Sequence, residues 1–291
     1  MDLHPRAGKW ISRRAIRHSN VPSQRTRLES TRFVDSTEIP EALAGLQRDG
    51  FFVFKKVVEG PLVHELRNYA EHVPCMPRGA TQRIPEYPRG NPTVGRYDID
   101  ETTALTSDLV QEFATDPLMT LISENYLGQP VVMDEVAFWW TTSQRAEDAN
   151  LNAQMYHQDR DRLSFLKFFI YLTDVTADTG PHVYIRGSHR HIPRTLRRDG
   201  RIDDMAVIAG GLGGDAREIC GPAGTLMAVD TIGLHKGKTP VKDDRLALQV
   251  EFATSLFGMD YEIPQIPVSD LTNRRMGDMP WTFQRLHPQS T

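Results

Sequence analysis

The stretch "LSFLKFFIYLTDVTADTGPHVYIRG", residues 163–187, decides the fold. Two runs of β-branched and aromatic residues, 163–175 and 182–187, flank the turn-forming residues "DVTADTGP" (174–181). This texture predicts two strands joined antiparallel, without a helical crossover. Alternation along the first run puts Lys167, Phe169 and Tyr171 on one face and Phe168, Ile170 and Leu172 on the other. Both faces are largely apolar, so the strand is predicted to be central and covered on both sides. A lysine on such a face needs a carboxylate, which a structural Asp or Glu or a bound dicarboxylic acid could supply.

Working outward, "PVVMDEVAFWWTT" (130–142), "GTLMAVD" (224–230) and "RLALQVEFATS" (245–255) read as further strands. Upstream, 37–50 and 60–73 read as helices around a strand at 51–58, residues 74–95 as an irregular loop rich in Pro, Arg and Gly, and 107–127 as a helical pair closing at Gly128. Helices first and strands afterward predict a mainly β fold with α: a sandwich or jelly roll with helices packed on one sheet. "AVIAGGLGGDAREICGPAG" (206–224) has Gly211, Gly213 and Ala216 at dinucleotide-fingerprint spacing, but Gly221, Pro222 and Gly224 leave no room for the required helix. It reads as a mobile loop.

The 291 residues are 39% apolar and 25% charged, with a net charge of −4, which suits a globular protein with no pull toward nucleic acid or anionic membrane. Cys75 and Cys220 form no CxxC pair, so neither a disulfide framework nor a cysteine zinc site is expected, and a reducing cytoplasm is the default. No apolar run is long enough to span a bilayer. The N-terminus is basic, lacks an apolar signal core and reads as a flexible tail.

Just ahead of the deciding stretch stands "YHQDRDR" (156–162). If it is extended, His157 and Asp159 point to the same face, as two ligands of a 2-His-1-carboxylate metal site would. A solvated charged turn is the alternative. The third ligand would be His235 in "DTIGLHKGKTP", which on its own reads more readily as a surface-loop histidine; His182, His189 and His191 are weaker candidates. Ten residues further, Arg245 heads a strand face that is otherwise small or polar, where it calls for an anion, either a bound carboxylate or a rim salt bridge.

Together, "AQMYHQDRDRLSFLKFFIYLTDVTADTGPHVYIRGSHR", "GTLMAVDTIGLHKGKTP" and "DRLALQVEF" resemble the phytanoyl-CoA dioxygenase family of iron(II)/2-oxoglutarate oxygenases, over residues 36–256. The resemblance implies one catalytic domain, with 1–35 and 257–291 as extensions, built on a double-stranded β-helix of cupin-like, jelly-roll type. It implies iron(II) on His157, Asp159 and His235, with 2-oxoglutarate and O2 as co-substrates. Arg245 would hold the distal carboxylate of 2-oxoglutarate. Family members often carry a serine two residues on, where this chain has Ala247, so Lys167 or Thr239 would supply a second contact. Gln154 and Phe169 would touch or line the co-substrate. Related halogenases lack the carboxylate that Asp159 provides, which argues for hydroxylation, desaturation or ring closure.

Trp139, Trp140, Tyr184, Arg160, Arg162, the 143–156 loop and the 190–221 insertion are the expected substrate surroundings. Their mix of aromatic and hydrogen-bonding groups suits a hydroxyl-rich small molecule, and the texture resembles members that tailor antibiotics, including orthosomycins. An acyl-CoA substrate is the alternative within the family. A non-enzymatic, carbohydrate-binding jelly roll is the alternative outside it.

Overall fold

A computed structural model describes residues 29–143, 154–160, 162–197, 200–257 and 263–289. The basic N-terminal tail and most of the 143–156 loop lie outside the described residues. In chain order the strands are β1 (Phe51–Val53), β2 (Met76–Pro77), β3 (Arg96–Ile99), β4 (Val132–Thr141), β5 (Phe165–Tyr171), β6 (His182–Ile185), β7 (Ala216–Ile219), β8 (Leu226–Val229), β9 (His235–Gly237), β10 (Arg245–Ala253), β11 (Gln265–Ile266) and β12 (His287–Pro288). A seven-stranded sheet runs β1-β8-β5-β10-β4-β3-β2 and faces a three-stranded sheet, β7-β6-β9. The pairings within both are antiparallel. The antiparallel pairing is what the deciding stretch predicts, and the two sheets form the double-stranded β-helix that the family resemblance implies.

β5 and β10 are central and buried along their whole length. Alternation splits their side chains cleanly. Phe168, Ile170, Leu246, Leu248, Val250 and Phe252 join the large core beneath the helices, whereas Phe169, Tyr171 and Ala247 join Trp139, Met227 and Val229 between the sheets. The helices Ile39–Asp49, Gly60–Glu71, Asp108–Ala114 and Pro117–Leu127 cover the large core. The first ends at Gly50, in the left-handed conformation at φ 88°, as the sequence predicts from Gly after the last helical turn.

Two expectations change. The 206–224 stretch is not a loop throughout: Asp204–Ala209 is helical, and Ala216–Ile219 pairs with β6. The apolar positions Val207 and Ile219 are buried there, which outweighs the local glycine content. The C-terminal residues are not an appendage, because Ile266, Met279, Phe283 and Leu286 sit in the large core and Arg285 pairs with Glu101 at 2.8 Å. Among the described residues no helix is long and apolar enough to cross a membrane. Phe283→Ala is expected to cost about 3–5 kcal/mol, the usual penalty for emptying a buried aromatic site. Urea unfolding measures this; an unchanged midpoint would mean that the C-terminal segment is not part of the core.

Candidate active site

His157 and Asp159 lie on an extended segment held against the turn that leads into β9. His157 and His235 form an antiparallel bridge in which each backbone N–H donates to the other's carbonyl, at 2.9 and 3.0 Å. The Asp159 N–H donates to the Thr231 carbonyl at 2.9 Å. Gln158 turns away, its amide donating to the Ile232 carbonyl at 2.7 Å. The flanking side chains therefore share the opposite face.

The imidazoles are oriented by a common device. Nδ1 of His157 meets the Met155 carbonyl and Nδ1 of His235 meets the Gly233 carbonyl, both at 2.9 Å. These bonds place the ring protons on Nδ1 and leave the Nε2 lone pairs for a ligand. Each Nε2 lies 3.5 Å from an Asp159 carboxylate oxygen. Two donors sharing an ion at about 2.0–2.2 Å can be at most roughly 4.4 Å apart, so both contacts fit. His157, Asp159 and His235 thus each offer a donor atom to one shared space, a group that could hold a single ion. Burial, with His235 alongside, pushes His157 down to about 3, so it stays neutral. Burial opposes the charge on Asp159, yet Lys167 and the two histidines hold its carboxyl well below the usual range. Two imidazoles and one carboxylate on one face suit a first-row divalent metal with coordination positions left open.

Lys167 does not reach toward a co-substrate as one reading expected. Its Nζ sits 2.8 Å from Asp159 Oδ2 and 3.2 Å from Glu251 Oε2, so a structural pair answers its burial. Arg245 does have the character of an anion site. It is buried, donates to the Gly180 carbonyl and, at 3.1 Å, to the Thr141 hydroxyl, and its Nε has no hydrogen-bond partner among the described residues. Both acceptors are neutral. Desolvation lowers its pKa, with Tyr171 the counteracting neighbour. Gly180 itself packs against the 238–240 loop, where at φ 77° a Cβ would lie 2.7 Å from the Lys238 carbonyl oxygen.

Between these two features stands His182, a residue the sequence reading set aside. Its ring stacks on His235 at 5.3 Å and 10°, leans on Phe169 at 5.4 Å, and leaves Nε2 buried without a hydrogen-bond partner among the described residues. Burial first, then His235 and Arg245, push its pKa well below the ordinary value. The missing signal was pairing: His182 shares a face of β6 with Tyr184, and Tyr184 lies opposite His235. Gln154 Nε2 is likewise buried and unpartnered, and Thr239 is half-buried in the loop before β10.

The expected substrate residues divide. Trp139 lies between the sheets, its ring beneath the Arg96 guanidinium at 4.5 Å. Trp140 does not line this space; one step along the strand, it points into the large core and stacks on Tyr87 at 4.2 Å. Tyr184 is fully buried and donates to the Asp230 carbonyl at 2.8 Å, so it supports the turn carrying His235 and is closed to a substrate. Arg162 is not a rim residue either, because its Nε lies 2.8 Å from Asp134 Oδ2 in a buried pair. Arg160 is exposed.

Residues 46–239 match the phytanoyl-CoA dioxygenase (PhyH) family. The chain belongs to that family. Among solved structures with the same fold are three enzymes of low sequence identity. The non-heme α-ketoglutarate-dependent carbocyclase SnoK from nogalamycin biosynthesis has a TM-score of 0.55 and 17% identity over 79% of this chain and 87% of its own. The related epimerase SnoN gives 0.53 and 17% over 79% and 91%. HygX from Streptomyces hygroscopicus, with nickel, 2-oxoglutarate and hygromycin B bound, gives 0.54 and 18% over 79% and 93%. No curated protein matches the chain by sequence. The His-Asp-His donor set, placed on this fold, fits the iron site of 2-oxoglutarate-dependent enzymes.

Lys167 orients Asp159, and removing such a partner of a metal ligand commonly costs about 10–100-fold in metal affinity. Lys167→Met is expected to lose that much iron(II) affinity in competition with a chromophoric chelator. Unchanged affinity in the folded variant would make the lysine purely structural.

Proposed function

We propose that this member of the phytanoyl-CoA dioxygenase family is an iron(II)- and 2-oxoglutarate-dependent oxygenase. Its proposed substrate is a hydroxyl-rich or saccharide natural product, which it hydroxylates or closes oxidatively into a ring. The observation that carries this reading is the convergence of His157, Asp159 and His235 beside a buried Arg245 that lacks a carboxylate among the described residues. Orphaned buried donors on Arg245, His182 and Gln154 match what a small dicarboxylate would satisfy.

His157, Asp159 and His235 would hold the iron through Nε2, a carboxylate oxygen and Nε2. Bound there, iron(II) supplies the redox chemistry that couples decarboxylation of 2-oxoglutarate by O2, giving succinate and CO2, to oxidation of a substrate C–H bond. The protein supplies orientation. Lys167 keeps Asp159 anionic and fixed in direction. Arg245 offers its planar fork to the distal carboxylate of 2-oxoglutarate. Ala247 cannot add the hydroxyl often found near this arginine. Thr141 can, because it lies opposite Arg245 in register and accepts the arginine's bond, leaving its own proton to donate. Thr239 remains a further candidate for that contact. Phe169 packs on His182 and His182 on His235, so these rings would form an aromatic wall beside the metal ligands.

The choice of substrate class rests on two supports. Trp139 offers an aromatic face beside charged donors, and structures sharing the fold are described with hygromycin B or nogalamycin RO bound. Succinate formation that requires iron(II), O2 and 2-oxoglutarate tests the reaction, and its absence in fully metallated protein would overturn it. Arg245→Ala is expected to weaken 2-oxoglutarate binding by about 10–100-fold through loss of charge-assisted hydrogen bonds, with iron affinity unchanged. Calorimetry reads both; equal loss of the two would show that the arginine is structural.

A further inference from the structure

Arg201 belonged to no motif, yet the backbone delivers it to the metal site. Tyr156 and Ile202 form an antiparallel bridge, with the Ile202 N–H donating to the Tyr156 carbonyl at 2.7 Å. Both of these side chains are buried in the cluster on the outer side of the small sheet. The next residues across the same bridge are His157 and Arg201, and alternation turns that pair to the opposite face, where the candidate metal ligands lie. Electrostatics agree with this placement: burial first opposes the charge on the Arg201 guanidinium, the Asp159 carboxylate then favours it, and the Arg78 guanidinium opposes it.

Arg201 is half-buried and makes no ion pair or hydrogen bond among the described residues. Its cationic neighbours are only partly answered. Arg78 pairs with Asp98 at 2.8 Å but keeps a buried Nε without a partner, and Arg96 pairs with the same Asp98 at 2.7 Å while lying over Trp139. Arg78 and Arg96 therefore share the one carboxylate of Asp98, and Arg201 pairs with neither Asp98 nor Asp159 among the described residues. Asp159 is already engaged by Lys167 and the histidines, and Glu251 by Lys167. The group is open to solvent: the side chains of Arg78, Asp98 and Arg96 are 35%, 31% and 19% exposed. Like charges held together beside low-dielectric walls draw an anion from solution. Arg245 belongs to a separate anion site, since Thr141 stands between it and Arg96 in register.

We propose that Arg201 and Arg78 form a second anion subsite, which binds a carboxylate or phosphate substituent of the substrate and so holds the rest of the molecule over the metal. The oxidised molecule is then an anionic, hydroxylated compound, such as a sugar acid or sugar phosphate, and not a neutral glycoside. This assignment rests on the iron(II)/2-oxoglutarate reading of the same site.

The test uses the full chain, anaerobic, loaded with iron(II) and saturated with 2-oxoglutarate. Equilibrium dialysis then measures inorganic phosphate and, separately, acetate. The expected result is one equivalent of at least one anion bound without displacement of 2-oxoglutarate, the tighter of the two naming the kind of substituent. Arg201→Gln is expected to weaken this by about tenfold or more and to leave 2-oxoglutarate affinity unchanged. Arg186→Gln, at an exposed arginine facing Asp215, is expected to change neither. Binding of neither anion, displacement of 2-oxoglutarate by the anion, or equal binding by wild type and Arg201→Gln overturns the subsite alone. Failure of 2-oxoglutarate to bind overturns the iron reading, and the subsite with it.

Discussion

The paired backbone hydrogen bonds between His157 and His235 are the constraint on which the site depends. Nearly eighty residues separate the two histidines, and two bonds of about 0.5–1.5 kcal/mol each close that gap locally. The large antiparallel sheet makes this closure affordable, because β5 and β8 are already paired in register and fix the ends from which both segments depart. Once the bridge forms, the Nδ1 bonds to Met155 and Gly233 follow from the same local geometry, and both Nε2 atoms face Asp159.

Charge explains the surroundings. Taking a carboxylate out of water is expensive unless it is paired. Asp159 is paired through Lys167, whose own burial is answered by Glu251 from the neighbouring strand. Metal binding would add a cation next to a carboxylate already held anionic, so no proton has to leave Asp159 first. Arg245 shows the opposite state, a buried cation met among the described residues only by a carbonyl and a hydroxyl. A protein has little reason to bury such a group unless a ligand completes it, and a dicarboxylate reaching from the metal would do so.

Much of this was legible in the sequence where a residue's own neighbours determine its place. Alternation in "FLKFFIYL" identified one central strand, and there and in "RLALQVEF" it gave the faces that divide the cores. The same rule placed His157 and Asp159 together. Legibility failed where the answer depended on which strand lies opposite. The neighbours of His182 and Arg201 come from pairings across long separations, and Tyr184 sits beneath a turn that local pattern does not reveal. Trp139 and Trp140 were treated alike although a one-residue step sends them to different cores. Arg162 was read as a substrate neighbour because its partner, Asp134, lies far along the chain on β4 at a register shift.

The most direct test is an anaerobic crystal structure with iron(II) and 2-oxoglutarate, with the metal located by its anomalous signal. One iron peak about 2.0–2.2 Å from His157 Nε2, an Asp159 oxygen and His235 Nε2, with a carboxylate of 2-oxoglutarate on Arg245, is the predicted result. Iron bound elsewhere, or an Arg245 still met only by Gly180 and Thr141 while 2-oxoglutarate is ordered in another place, would contradict it.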